Sequence, residues 1–265
     1  MSGKIGYEEL TMSDRSKSLA ADPLRGRLPT SHERLSGRPW DASYHDGPPP
    51  WDIGHPQPVV VRLASEGRFA GAVLDAGCGT GENALHIALH PALHTASLEL
   101  SSRELSSREL SSPGFSVLGV DVAETALAIA RQKAAARRIE AEFAAADALQ
   151  LQRLERTFDT VLDCGLFHTF DGLNKRTEDD RTQAERTQYV SSLASVTRHD
   201  GILYVLCFSD GVPDTGPHPV SEQDLRAAFN PRHGWNVAAL QPDRIQTTFH
   251  DDHGAPAWLA TIKRL

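Results

Sequence analysis

The residues richest in chemistry lie in Val73-Leu74-Asp75-Ala76-Gly77-Cys78-Gly79-Thr80-Gly81. An apolar run ends in an acid, and three alternating glycines follow before a helix-forming segment. Glycine has no Cβ, so the backbone can adopt positive φ and a ligand can approach the main chain closely. The pattern is G-x-G-x-G. A dinucleotide fingerprint would be G-x-G-x-x-G, and the place of its third glycine holds Glu82. A carboxylate there would occupy the helix N-terminus that a pyrophosphate needs. A ligand without phosphate fits better. Asp121 and Asp147 close two further strand-like runs, and Asp163-Cys164-Gly165-Leu166-Phe167-His168 closes a fourth. Cys78, Cys164 and Cys207 are too few and too widely spaced for a disulfide framework or a zinc ligand set, so small buried thiols in a reducing compartment are expected. His86 and His90 share one helical segment as a surface coincidence, and no metal is expected.

The elements that position these residues follow from hydrophobic pattern. Strands are expected at 71–77, 115–121, 140–147, 158–165, 202–208, 235–240 and 255–265. Helices are expected at 82–90, in the Ala-rich 122–136, and at 181–198, where His199-Asp200-Gly201 is a stop signal. Another opens on a capping box, Ser221 with Asp224, and runs to 229. The segment VVVRLASEG after Pro58 is either a short helix or a strand entry, and Trp40 to Pro50 is a loop because three prolines end it. Strand and helix alternate, so the fold class is α/β: a mostly parallel sheet with helices on both faces. The last two strands have no helix between them and can pair antiparallel.

The chain has 265 residues, 40% of them hydrophobic, which is enough to bury a core. Net charge is −8 with no basic run, which argues against a nucleic-acid partner. No membrane-length apolar stretch and no secretory h-region occur. Residues 1–38 are polar and aperiodic, a tail. Residues 91–112 carry the tandem repeat ELSSR-ELSSR-ELSS, whose period of five matches neither helix nor strand, so they are an inserted low-complexity loop. The charged 174–186 is a solvated extension. Setting tail and insertion aside leaves roughly 205 residues, one domain at 39–265.

Asp75-Ala76-Gly77-Cys78-Gly79-Thr80-Gly81 resembles the first motif of class I S-adenosylmethionine-dependent methyltransferases. That resemblance implies a Rossmann-like seven-stranded sheet with an antiparallel last strand, and S-adenosylmethionine as cofactor. It implies that Asp75, Gly77, Cys78, Gly79 and Gly81 shape the cofactor site. Asp121, followed by Val122, would take both ribose hydroxyls, as a carboxylate can with a vicinal diol. Asp147 and Ala148 would meet the adenine, and Cys164 the methionine part. A narrower similarity, to small-molecule methyltransferases of the thiopurine, thiol and halide type and to bacterial enzymes acting on hydroxylated or heterocyclic aromatics, rests on Pro50-Trp51-Asp52-Ile53-Gly54, Pro56-Gln57-Pro58, the Asp163–His168 segment and Leu206-Cys207-Phe208-Ser209-Asp210. It implies a lid at 39–70 in which Trp51 covers the cofactor, and a substrate pocket with His45, Phe167, His168 and Phe208. The departure is spacing: Asp75 and Asp121 are 46 residues apart, about twice the family's interval, and the ELSSR insertion accounts for the excess.

The expected reaction is in-line methyl transfer to an aromatic hydroxyl, a thiol or a heterocyclic nitrogen, in which the protein chiefly aligns the acceptor and excludes water. Aromatic walls suit a sulfonium cation. His168 is the candidate catalytic base, with His45 and His55 behind it. A small-molecule partner is expected, with no nucleic acid or membrane, in a cytoplasmic monomer or homodimer. Two other readings stay open: a non-catalytic cofactor-binding protein, and a macromolecule methyltransferase. The acidic charge and the lack of an Asn/Asp-Pro-Pro-Tyr/Phe tetrad after the fourth strand count against the latter.

Overall fold

The structure, a computed structural model, describes residues 24, 26–90, 116–170, 180–210 and 219–265. The expected insertion at 91–112, most of the expected tail and 174–179 of the charged extension lie outside the described residues. Seven strands form one sheet: β1 Val73–Ala76, β2 Val117–Asp121, β3 Glu142–Ala145, β4 Phe158–Cys164, β5 Thr197–Phe208, β6 Trp235–Ile245 and β7 Ala255–Arg264. Their spatial order is β3-β2-β1-β4-β5-β7-β6. The first five are parallel, and β7 runs antiparallel between β5 and β6. The central strands β1, β2 and β4 are covered on both faces, which is why they read as mostly apolar runs, whereas β3 at the edge is half-exposed.

Alternation along β1 sets the two cores. Val73 points into one core with α2 Pro58–Ser65, α3 Glu82–Leu89 and α4 Glu124–Arg137, and Leu74 and Ala76 point into the other with α5 Asp180–Val196 and α6 Glu222–Ala228. Proline at the first position of α2 starts the helix, whose Val59, Val60, Leu63 and Ala64 are buried. In α4 the stripe Ala126, Leu127, Ala130 and Ala134 is small enough to let the helix lie close to the sheet. The capping box of α6 is present: Ser221 Oγ accepts from Asp224 N at 3.1 Å, and Asp224 accepts from Ser221 N at 3.0 Å.

Four expectations are corrected. Residues 31–36, assigned to the tail, form helix α1, Ser31–Ser36, with Thr30 and Glu33 in a capping box and Gly37 closing it at φ 67°. Trp40–Tyr44, inside the expected loop, winds into a short 3-10 helix. The stop signal His199-Asp200-Gly201 lies within β5, because Phe158 pairs with Thr197 and Thr160 next pairs with Ile202. The intervening residues bulge out, with Asp200 at φ 64° and bound to Lys263 at 2.7 Å. Finally β6 runs five residues past its expected end, through Pro242, which an edge strand tolerates.

Gly81 precedes α3 at φ 82°, and a Cβ there would lie 2.8 Å from both Ala130 Cβ and Phe143 Cε1. The third glycine of the loop therefore serves packing of α3 against α4 and β3. Gly81→Ala should lower stability by about 2–3 kcal/mol. Urea unfolding should show this as a lower midpoint at unchanged slope; an unaltered midpoint would refute the packing role.

Candidate functional site

The carboxyl ends of β1, β2 and β4 converge on one cleft, as expected for a ligand crevice in an open α/β sheet. The loop leaving β1 is tied to β2 by its backbone: Gly77 N and Cys78 N both donate to Val120 O, at 2.8 and 2.9 Å. Asp121, at the end of β2, accepts from Gly79 N through Oδ2 and from Ala123 N through Oδ1, each at 2.9 Å. A Cβ on Gly79 would approach the Tyr44 hydroxyl to 3.2 Å, so that glycine keeps the space above the loop open. The cleft is a cavity of about 330 Å³.

Two carboxylates, Asp75 and Asp163, are buried around this loop, and a third, Asp121, is half-buried at the cavity wall. Asp75 is 1% exposed and both its oxygens lack a well-formed hydrogen bond. Burial first, then the neighbouring Asp121 and Asp163, push its carboxyl up to about 7, against a weaker pull from the Ala84 backbone. Asp163 is pushed up to about 6 by burial. It is better satisfied: Leu166 N and Phe167 N donate to Oδ1 at 2.9 and 3.1 Å, and the Tyr189 hydroxyl donates to Oδ2 at 2.8 Å. Burial also raises Asp121, opposed by backbone donors of Ala123, Gly79 and Val122. Glu82 behaves oppositely. Its burial is outweighed by Arg137 and Lys133, at 2.7 and 2.9 Å, which hold it below the usual range. A paired, ionised glutamate at the start of α3 leaves no place for a phosphate there. Burial holds the Cys78 and Cys164 thiols well above their ordinary value, so neither is a thiolate nucleophile. Among the described residues no group of His, Cys, Asp and Glu could hold a metal ion.

Residues 40–57 roof the cleft. Asp41 accepts from Thr125 N at 2.7 Å, and Asp52 accepts from the Thr80 hydroxyl at 2.8 Å. Trp51 Nε1 donates to the Tyr44 hydroxyl at 3.0 Å, and Trp40 meets Trp51 edge-on. The Gln57 side chain bridges to the turn after β6: its Nε2 donates to Gln246 O, and its Oε1 accepts from Gln246 N, both at 2.8 Å. Thr248 N donates to Pro50 O at 2.8 Å.

Most of the expected site residues line this cavity: Trp51, Gly77, Cys78, Gly79, Asp121 and Val122, then Asp147, Ala148, Cys164, His168 and Phe208. Four do not. Asp75 lies beneath the loop. Gly81 faces α4. Phe167 is fully buried in the opposite core, 5.3 Å from Phe229, because the 3-10 turn Phe167–Phe170 sends it inward and His168 toward the cleft. His45 is 55% exposed, with Nε2 3.0 Å from Asp41 Oδ2. Two parts of the wall went unread in sequence: Thr30 and His32 before the roof, and Ile245 at the end of β6 with Gln246, Thr247, Phe249 and His250 after it. The first carried a readable signal, the capping box and closing glycine of α1. The second carried none.

The model of the family described as "Methyltransferase domain" matches residues 70–230. The chain belongs to this family, as a class I S-adenosylmethionine-dependent methyltransferase. A 2-heptyl-1-hydroxyquinolin-4(1H)-one methyltransferase of Mycobacteroides abscessus is 29% identical over 88% of this chain and 83% of its own. A solved structure described as "Conversion of a Disulfide Bond into a Thioacetal Group during Echinomycin Biosynthesis" is 33% identical, covers 85% of this chain and 91% of its own, and superposes with a TM-score of 0.63. The magnesium protoporphyrin IX methyltransferase of Synechocystis PCC 6803, solved with bound SAH, shares the fold at 17% identity and a TM-score of 0.53, over 98% of this chain and 90% of its own.

The methyltransferase's own residues fit its cofactor. The glycine loop leaves room for a ligand against the main chain, and the buried acids carry negative potential that a sulfonium and an ammonium would neutralise. An unfolded aspartate titrates at its ordinary value near 3.8, and folded Asp75 at about 7. Between those values the cofactor-free native state binds the extra proton, so Asp75 makes folding less favourable as pH rises through that window. Binding a cation favours the ionised carboxyl, so cofactor affinity should rise from pH 6 to pH 8. Asp75→Asn should flatten both dependences and weaken affinity at pH 8 about 10-fold. Thermal melts and titration calorimetry at the two pH values check this, and an unchanged affinity slope in the variant would refute it.

Proposed function

We propose that this methyltransferase modifies a small, flat aromatic acceptor at a hydroxyl, a thiol or a ring nitrogen. The supporting observation is the cavity wall beyond the glycine loop. Trp51, Ile53, Leu166, Phe170 and Phe208 give it an apolar surface, and imidazoles supply much of its polar chemistry. Such a pocket buries a ring and orients it through a few polar groups. One relative is named for a hydroxylated heteroaromatic ring, which supports an aromatic acceptor, and the other for a conversion at sulfur, which keeps a thiol among the acceptor groups. The acidic balance of the chain, −8, gives a polyanionic acceptor no attraction. Among the described residues no helix is long and apolar enough to cross a membrane.

Within this reading the chain's residues divide the work. Gly77, Cys78, Gly79 and Cys164 would hold the methionine part of the cofactor, Asp121 with Val122 the ribose, and Asp147 with Ala148 the adenine. Bound there, S-adenosylmethionine supplies an activated methyl group on a sulfonium sulfur. Tyr44 and Trp51 close the roof over the loop and exclude water. His168 is 3% exposed, 4.8 Å from the Phe208 ring, and takes the proton of an acceptor hydroxyl. An acceptor that is already anionic, such as a thiolate, has no proton to give.

Incubation of the pure protein with methyl-labelled cofactor and 2-naphthol, 4-hydroxyquinoline, thiophenol and benzimidazole should label at least one of them. Label found only in protein or RNA fractions of a lysate would overturn the reading. His168→Ala should lower kcat on a phenolic acceptor by about 100-fold at neutral pH and spare a thiolate acceptor. Equal turnover of the phenol by both proteins across pH would remove the base role.

A further inference from the structure

The turn between β6 and β7 brings Thr247, Phe249 and His250 to the cavity, and the division of work above uses none of them. His250 Nδ1 lies 2.7 Å from Thr247 Oγ1. That same oxygen accepts the Phe249 N–H at 3.2 Å. The hydroxyl has one proton and two lone pairs, so it can give that proton to His250 Nδ1 while accepting from Phe249. Nδ1 is then the acceptor, and a neutral ring carries its own proton on Nε2. Nε2 is buried and has no hydrogen-bond partner among the described residues. A buried donor left unpaired is costly. The ring sits 6.0 Å from Phe208, whose face His168 also approaches, at 4.8 Å. Two imidazoles thus flank one aromatic wall. The bonds from Gln246 to Gln57 and from Thr248 to Pro50 fix the backbone of the turn against the roof, on both sides of Thr247 and just before His250.

We propose that His250 determines acceptor specificity by donating a hydrogen bond from Nε2 to an oxygen on the aromatic ring, with Thr247 fixing the tautomer. The acceptor class is thereby narrowed to ring systems that carry a hydrogen-bond-accepting oxygen, a ring carbonyl or its oxyanion. The proposal rests on the aromatic-acceptor reading. It assigns opposite duties to the two imidazoles, His168 receiving a proton and His250 offering one.

The test uses 4(1H)-quinolone and quinoline, which differ by the ring oxygen, titrated into the protein saturated with S-adenosylhomocysteine. The wild type should prefer the quinolone by about 10-fold or more, the worth of one buried hydrogen bond to an otherwise unpaired donor. His250→Phe should erase that preference and leave quinoline binding in place. His250→Gln, whose amide can still donate, should restore part of it, and Thr247→Val should weaken it. A second readout needs no acceptor: in protein labelled with ¹⁵N-histidine, the His250 ring, identified by its loss in the Gln variant, should show the proton on Nε2. A proton on Nδ1, or a quinolone preference that survives His250→Phe, overturns the proposal. Equal binding of the two compounds by the wild type sinks the donor role alone. Binding of neither counts against the aromatic-acceptor reading as well.

Discussion

The site depends on how the end of β1 is fastened to the end of β2. A main-chain carbonyl and one side chain at the end of β2 do the fastening. Val120 O takes two loop N–H groups, and Asp121 then takes the N–H of Gly79 and that of Ala123. One carboxylate therefore fixes the loop on one side and the entry to α4 on the other. Gly119, in the same strand, lets Phe143 and Cys78 crowd in behind: a Cβ there would lie 2.8 Å from the Phe143 ring and 2.9 Å from the Cys78 sulfur. The loop rests on a close-packed floor, and small side-chain changes in that floor would be felt in the cleft.

That floor contains charge that the fold itself does not neutralise. Asp163 has three donors, but Asp75 has no well-formed hydrogen bond, and burial, then the nearby Asp121 and Asp163, raise it. A protein assembled for stability alone would not leave such a group in the core. Strain of this kind becomes useful where a cation must be bound without a salt bridge to the reacting centre. Negative potential from below attracts the ligand, and no side chain needs to occupy the space above the loop. Glu82 makes the contrast clear. It lies a few residues along the same segment, yet two cations hold it ionised and paired.

The cradle was legible in the sequence because every part of it lies on a buried parallel strand or directly after one. Apolar runs ending in Asp75, Asp121 and Asp163, with glycines after the first, mark strand ends whatever the rest of the chain does. Parity was harder to read. Gly79 and Gly81 look equivalent in the motif, but one faces the cleft and the other a helix. Phe167 and His168 are adjacent, and a single 3-10 turn sends them to opposite sides. Such differences depend on a third element packing against the segment, which local sequence does not encode. The turn at 246–250 was invisible for another reason. Its residues have no periodicity, and they reach the cleft only because an antiparallel hairpin folds back to contact Gln57, 189 residues away in sequence.

The two halves of the cavity are consequently held by different physics. The cofactor half is built on strand ends and a packed floor, where a change in one residue disturbs the sheet. The proposed acceptor half is built largely on the roof and the hairpin turn, joined to each other by the paired bonds of Gln57 with Gln246 and by Thr248 with Pro50, and to the loop and helices by two bonds from Asp41 and one each from Asp52 and Gln57. Most of these contacts use backbone groups on at least one side, so they tolerate replacement of neighbouring side chains. Phe249 and His250 can therefore differ without loss of the latch, and the wall that meets the acceptor can be altered independently of the wall that meets the methyl donor. On the proposed reading, acceptor choice rests on the roof and the turn together with His168 and Phe208 at the strand ends, so the part of the wall outside the sheet is the part free to vary.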